Sequence, residues 1–237
     1  DHEVNIKILF APLLASGAVP RERRNELLRA AEVDVCDAVL ANNRSQSRMI
    51  SFDVRRSRKD VYRYSRTLSY LVASVPFNPC SFGLPTEDEL AIRSRKGGGL
   101  FKCDASALCA YSKMIAYRNL LDEKPLSEGL VERMVREYFP HVIVEGAGQA
   151  VQSHLLRREI ATTMVVNRII DNAGATFFPE LITSTRRSAS DIAEAYMSAA
   201  QAGDIDVIRH DLYACEDKLR QEAVYRAMAL IEGALEE

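Results

Sequence analysis

The chain has 237 residues, 47% of them hydrophobic and 27% charged, with a formal net charge of −2; that is enough chain for one large domain or two small ones with a real core. The near-balanced charge excludes any global attraction to nucleic acid or anionic membrane, so either role would need a local patch. Glycine is sparse at 11 and Trp is absent, while Ala, Leu, Arg and Glu dominate, a composition that favours helix over sheet.

Five cysteines, Cys36, Cys80, Cys103, Cys109 and Cys215, form an odd set with no CxxC, and the four histidines are scattered. This fits reduced thiols in a cytoplasmic protein better than a disulfide frame or a zinc site. No apolar run reaches the length of a membrane span, and the amino end lacks the basic-then-apolar build of a signal peptide. Nor does the chain begin with Met: it opens at Asp1 directly into a helical pattern, as a cut inside a longer polypeptide would.

In chain order, DHEVNIKILFAPLLASG reads as a first helix with Glu3 and Lys7 at the favourable i, i+4 spacing. His2 and Asn5 share a face with Leu9. Val4, Ile6, Ile8, Phe10, Leu13 and Leu14 point in more directions than one neighbouring helix covers, which predicts a domain-facing surface left partly bare. Gly17 ends this helix, and Pro20 starts a second that is expected to run to about Leu40.

From Arg44 to Arg66 stand eight arginines and lysines with Tyr62 and Tyr64, against only Asp53 and Asp60. A basic run with aromatics is one signature of nucleic-acid binding. However, Val54, Val61, Tyr64, Leu68, Leu71 and Val75 recur at three- and four-residue steps, so the simpler expectation is the solvated face of an amphipathic helix. A loop with Pro79 and Pro85 follows, and a sub-division of the chain is expected near 76–85. Thr86 with Glu89 then forms a capping box that opens a helix, and Gly97–Gly99 closes it. The three glycines are a weak phosphate cradle, since no Lys-Ser or Lys-Thr follows at the required spacing.

Asp104 is expected to cap the next helix and Ser127 the one after. HVIVEGAGQAV, from His141 to Val151, has the outline of a dinucleotide-binding turn. Val151 where a small residue is needed, and the lack of alternating strand patterns around it, argue against it. His154 to Gly174 reads as one long, widely apolar core helix, with Leu155, Leu156, Ile160, Met164, Val166, Ile169 and Ile170 around it. Ser188 with Asp191 caps a further helix, and the last two segments read as a helix pair.

Several stretches carry a specific resemblance. DHEVNIKIL (Asp1–Leu9), Asn43 and Gln46 in VLANNRSQS, LPTEDEL (Leu84–Leu90), GLFKCDASALCAY (Gly99–Tyr111), LRREI (Leu156–Ile160) and the stretch from Thr176 occur in order. Together they resemble the region that follows the nucleotide-binding domain in the large bacterial NAD-dependent glutamate dehydrogenases. Phe101, Lys102, Cys103 and Asp104 depart from that family's Thr-Arg-Pro-Glu.

The resemblance implies an all-α, multi-helix bundle, 1–237, following a Rossmann-type catalytic domain that lies outside this sequence. In the implied parent, glutamate is oxidised to 2-oxoglutarate and ammonia with NAD as hydride acceptor, by lysine and aspartate residues upstream of Asp1. The chain itself is expected to bind no NAD and no metal and to supply no catalytic residue. Asp1, His2 and Asn5 are the positions expected nearest the substrate cleft, although their residue types equally suit a solvated helix end. The expected partners are the upstream catalytic domain of the same polypeptide and further copies in a homo-oligomer, without nucleic acid or membrane. The alternative is an independent helical module that binds nucleic acid or protein through the basic 44–66 face.

Overall fold

The computed structural model describes residues 2–75 and 83–236. Among them it has twelve α-helices and no strand, so the all-α expectation holds. The stretch from His141, the outline of a dinucleotide turn, is helix α7, His141–Ala147. The sub-division expected near 76–85 falls largely on residues outside the described ones.

The chain forms two compact units, Asp1–Arg44 with Leu126–Val165 and Ser45–Pro125 with Val166–Glu237. Two helices, α2 (Arg21–Lys59) and α8 (Arg157–Ala173), contribute residues to both.

In the first unit, α1 (His2–Ala15) packs on α7, and α6 (Glu128–Tyr138) buries Leu130, Val131, Met134, Val135 and Tyr138. The expectation of a bare face on α1 is corrected at its centre. Phe10 is 1% exposed and Ile6 and Leu9 are 2% exposed, while Val4 remains 56% exposed. Gly146 on α7, the first glycine of the sequence's GAG, lies so close to Leu27 that a Cβ there would sit 2.5 Å from its Cδ1, so it serves helix packing.

The second helix does not stop near Leu40. It continues to Lys59, 39 residues in all from Arg21, where Asp60 takes over as the cap of α3 (Val61–Ser74), its carboxylate accepting the Arg63 N–H at 3.1 Å. No Gly or Pro interrupts the stretch between Arg21 and Lys59, so nothing local ends it.

The second unit holds α3, α4 (Glu87–Arg95), α5 (Lys102–Asp122), α9 (Phe177–Thr185), α10 (Ala189–Ala202), α11 (Ile205–Ala214) and α12 (Gln221–Glu236). Tyr64, Leu68 and Leu71 of α3, Leu90 of α4, Leu108 and Ile115 of α5 and Ala175 form one buried cluster. Phe52, Val224, Tyr225 and Met228 form another. A polar network also lies in this interior: Arg209 is held by Glu232 at 2.6 Å, and the Tyr196 hydroxyl donates to the same carboxylate at 2.8 Å. All three are nearly inaccessible, so breaking one leaves the others buried without a partner.

The capping expectations divide. Thr86 and Glu89 form the reciprocal box, and Ser188 accepts the Asp191 N–H at 3.0 Å. Asp104, by contrast, stands in the first turn of α5 rather than at its cap. Its carboxylate accepts the Phe101 N–H at 2.7 Å and pairs with Arg93 at 2.5 Å, while the Arg93 guanidinium lies 4.2 Å over the Phe101 ring. The residues that depart from the family pattern therefore still tie off this helix end.

The central helix starts later than the sequence suggests. Residues Gly148–Ser153 form a 3-10 helix, the chain turns at His154, and α8 begins at Arg157. Leu155 consequently lies outside the helix and is 83% exposed instead of joining its apolar wall. Beyond Arg157 the helix is as buried as expected, with Ile160, Ala161, Val165, Val166, Ile169 and Ile170 inaccessible.

Candidate functional site

Of the three positions expected near the cleft, Asp1 lies outside the described residues. His2 and Asn5 are brought together on the first turns of α1, against the end of α6. The His2 ring stacks on Tyr138 at 4.3 Å between centroids and 13° between planes, and the Asn5 amide donates to the Tyr138 hydroxyl at 2.8 Å. Tyr138 meets Phe139 edge to face at 5.0 Å, and Phe139 meets His154 at 5.5 Å. Offset and edge-on ring pairs of this kind are favoured by the ring quadrupoles.

The buried His154 closes the cluster. Its Nδ1 accepts the Leu156 backbone N–H at 3.0 Å, and its Nε2 faces the Asn5 carbonyl at 3.0 Å. A backbone N–H only donates and a carbonyl only accepts, so the two contacts together specify the neutral Nε2–H tautomer. The reason α8 starts late is the same: the ring takes the Leu156 N–H where a preceding helical turn would have done so.

Burial holds the His2 imidazole below its ordinary titration range. Burial pushes the Tyr138 phenol up, and the Asn5 hydrogen bond opposes this. A neutral imidazole, a neutral phenol and an amide are well suited to hold two helices in register. Nothing in the sequence near Asn5 pointed to Tyr138 or His154, which follow it by 133 and 149 residues.

The basic run of 44–66 is only in part the solvated face that its periodicity suggests: Arg44, Arg58, Lys59 and Arg66 are exposed, whereas Arg48, Arg55, Arg56 and Arg63 are half-buried. Arg48 grips Glu216 with two nitrogens at 2.9 and 3.1 Å and lies 3.7 Å over the Tyr213 ring. Arg55 pairs with Glu222. Arg56 donates to the Ala173 carbonyl at 2.6 Å, and Arg63 pairs with Glu180 at 2.6 Å and Glu236 at 2.8 Å. Arg66 reaches Glu180 at 3.5 Å. These arginines tie α2 and α3 to the carboxyl-terminal helices of the second unit.

Beside them, between the last turns of α2 and the first turns of α12, lies a cleft of about 660 Å³. Its walls carry Arg55, Arg56, Arg58, Lys59 and Arg226 against one carboxylate, Glu222, with Phe52, Tyr225, Ala229 and Leu230 as the apolar part. Among the described residues, no three His, Cys, Asp or Glu side chains converge as metal ligands, and no helix is long and apolar enough to cross a membrane.

Comparison with known proteins accords with the resemblance read from the sequence. A family model described as "Glutamate dehydrogenase, C-terminal" matches residues 97–237, and one described as "Bacterial NAD-glutamate dehydrogenase, catalytic domain" matches residues 1–53. A protein of Pseudomonas aeruginosa named NAD-specific glutamate dehydrogenase is 34% identical over 83% of this chain. Proteins of the same name from Halomonas elongata and Mycobacterium tuberculosis are 29% identical over 96% and 35% identical over 75% of it. The chain spans only 12%, 14% and 11% of the three relatives' lengths. Since the first of the two family models covers more than half of its residues, the chain belongs to the glutamate dehydrogenase C-terminal family.

Proposed function

We propose that the chain is the helical carboxy-terminal part of an enzyme that oxidises glutamate to 2-oxoglutarate and ammonia with NAD. On this reading it braces the catalytic part, and carries out no chemistry itself. The observation that carries the reading is the ring cluster of the first unit. His2 and Asn5 lie in the stretch that matches the catalytic-domain family, whereas Tyr138, Phe139 and His154 lie in the stretch that matches the carboxy-terminal family. Side chains of the two regions thus hold one another by specific hydrogen bonds, as a load-transferring joint requires. NAD and the reacting groups belong to the remainder of the polypeptide, and the whole works as a cytoplasmic homo-oligomer.

The runner-up is an independent module that binds nucleic acid or protein through the 44–66 face, and its nucleic-acid form is disfavoured by the carboxylates that occupy Arg48, Arg55, Arg63 and Arg66. Phosphate contacts need cations free to replace counterions.

The test is steady-state kinetics of the full-length enzyme with Asn5→Ala and His154→Gln. Loosening the joint is expected to lower kcat/KM for glutamate at least fivefold and to speed amide exchange in α1 and α6. Unchanged kinetics in both variants, with exchange accelerated, would reduce the cluster to a local packing feature. Glutamate-dependent NADH formation by the 237-residue chain alone would overturn the reading.

A further inference from the structure

The cleft between α2 and α12 has a composition that the bracing role does not explain. Five cations and one carboxylate line it, a local excess of four positive charges in a chain whose formal net charge is −2. Arg55 is answered by Glu222, and Arg56 by the Ala173 carbonyl and, at 3.5 Å, by Glu236. Arg58, Lys59 and Arg226 are exposed and meet no carboxylate within ion-pair distance among the described residues. The helix dipole accounts for part of this, because Arg58 and Lys59 stand in the last turn of α2 where cations are favoured. It does not account for Arg226, the sixth residue of α12, which gains nothing from the positive end of its own helix.

The apolar part is as unusual as the charge. Leu230 is 76% exposed on the cleft wall, next to Ala229 and above the stacked pair of Phe52 and Tyr225, whose rings lie 6.0 Å apart at 12°. Apolar walls with a few convergent polar groups, in a volume of this size, are the usual make-up of a small-molecule site. A bare phosphate or sulfate would use the cations and leave the apolar wall wet. An extended nucleic-acid strand would need the basic track to continue, yet beyond the cleft Arg48, Arg63 and Arg66 are taken by Glu216, Glu236 and Glu180.

We propose that this cleft binds a small polyanion that carries a flat apolar group, the chemistry of a nucleoside polyphosphate. Arg58, Lys59 and Arg226 take the charged end, and Leu230, Ala229 and the edge of Tyr225 take the flat end. The assignment is independent of the bracing role, because the cleft and the ring cluster share no residue.

The test is calorimetric titration of the full-length protein with ATP, tripolyphosphate and adenosine, with NAD present at saturation to fill any dinucleotide site. One further ATP site per chain is expected, with micromolar affinity. It should weaken at least tenfold in the Arg58→Glu/Arg226→Glu variant. Leu230→Asp should weaken ATP more than tripolyphosphate, which sees only the cations. All three side chains are exposed, so circular dichroism should report an unchanged fold; should the charge reversals unfold the protein, Lys59→Ala/Arg226→Ala gives the same comparison. An ATP isotherm unaltered by these variants overturns the proposal. So does tripolyphosphate binding as tightly as ATP, and so does a single-stranded oligonucleotide that displaces ATP from these side chains.

Discussion

The Asp53 carboxylate, wholly inaccessible on α2, accepts the Ala175 backbone N–H at 2.9 Å with one oxygen and the Tyr64 hydroxyl at 2.7 Å with the other. One side chain thereby fastens the turn that follows α8 to both α2 and α3. The turn needs Gly174 on two counts. Its φ is +97°, and a Cβ there would meet Asp53 Oδ1 at 2.5 Å. Asp53→Ala should therefore cost about 3–5 kcal/mol, since it strands a buried N–H and hydroxyl beside Arg56. Gly174→Ala should lower stability as well, through backbone strain at the positive φ and by pushing on the same Asp53 carboxylate. Urea unfolding of the two variants measures both, and a loss under about 1 kcal/mol for Asp53→Ala would show that the turn holds without this anchor.

Phe10 gives the second expectation. Because the ring is 1% exposed, Phe10→Ala should destabilise by about 3–5 kcal/mol. Thermal unfolding of the variant decides it. A negligible change would restore the bare-face reading of α1.

A third concerns alkaline pH. Burial pushes the Cys109 thiol up to about 12, against some help from Lys113 for the thiolate. In the unfolded chain the same thiol ionises near its ordinary value of 9.0. Between the two values the folded state holds a proton that the unfolded state has lost, so stability falls as pH rises, by about 1.4 kcal/mol per pH unit from this group. Cys109→Ala should flatten that slope by the same amount in denaturant titrations from pH 9 to 11. Below pH 9 thiol reagents should label Cys36, Cys103 and Cys215, which are exposed, well before Cys109.

The tautomer of His154 leads to the fourth. His154→Gln supplies both a donor and an acceptor and should retain part of the stability of the first unit. His154→Leu supplies neither, and should cost about 2 kcal/mol more by leaving the Leu156 N–H and the Asn5 carbonyl unanswered. Equal stability of the two variants would mean that the ring acts by shape alone.

What could be read from the sequence followed the range over which each feature is decided. Thr86 with Glu89 and Ser188 with Asp191 are three residues apart, and the helix starts that they announce are found where expected. The break at Gly97–Gly99 was legible too, though not its reason: a Cβ at Gly99 would meet Ser57 Oγ at 2.5 Å, and that oxygen accepts the Leu100 N–H. The partners of the basic run were not legible. Glu216 follows Arg48 by 168 residues and Glu236 follows Arg63 by 173, so periodicity saw charges without their counterions and placed them in water. His154 misled for a related reason. Its ring replaces a local backbone bond, and the apolar pattern around it continued as though the helix did.

Because the chain passes between its two compact units three times, twice inside continuous helices, neither unit is a segment that a single cut in the gene can release. A deletion bounded by the family-match limits at residues 53 and 97 removes part of one unit and leaves α2 without the helix that Asp53 anchors. Recombination acts on contiguous DNA. An architecture interleaved in this way can be inherited, duplicated or lost only as a whole, and the individual helices are not free to be exchanged between genes as modules.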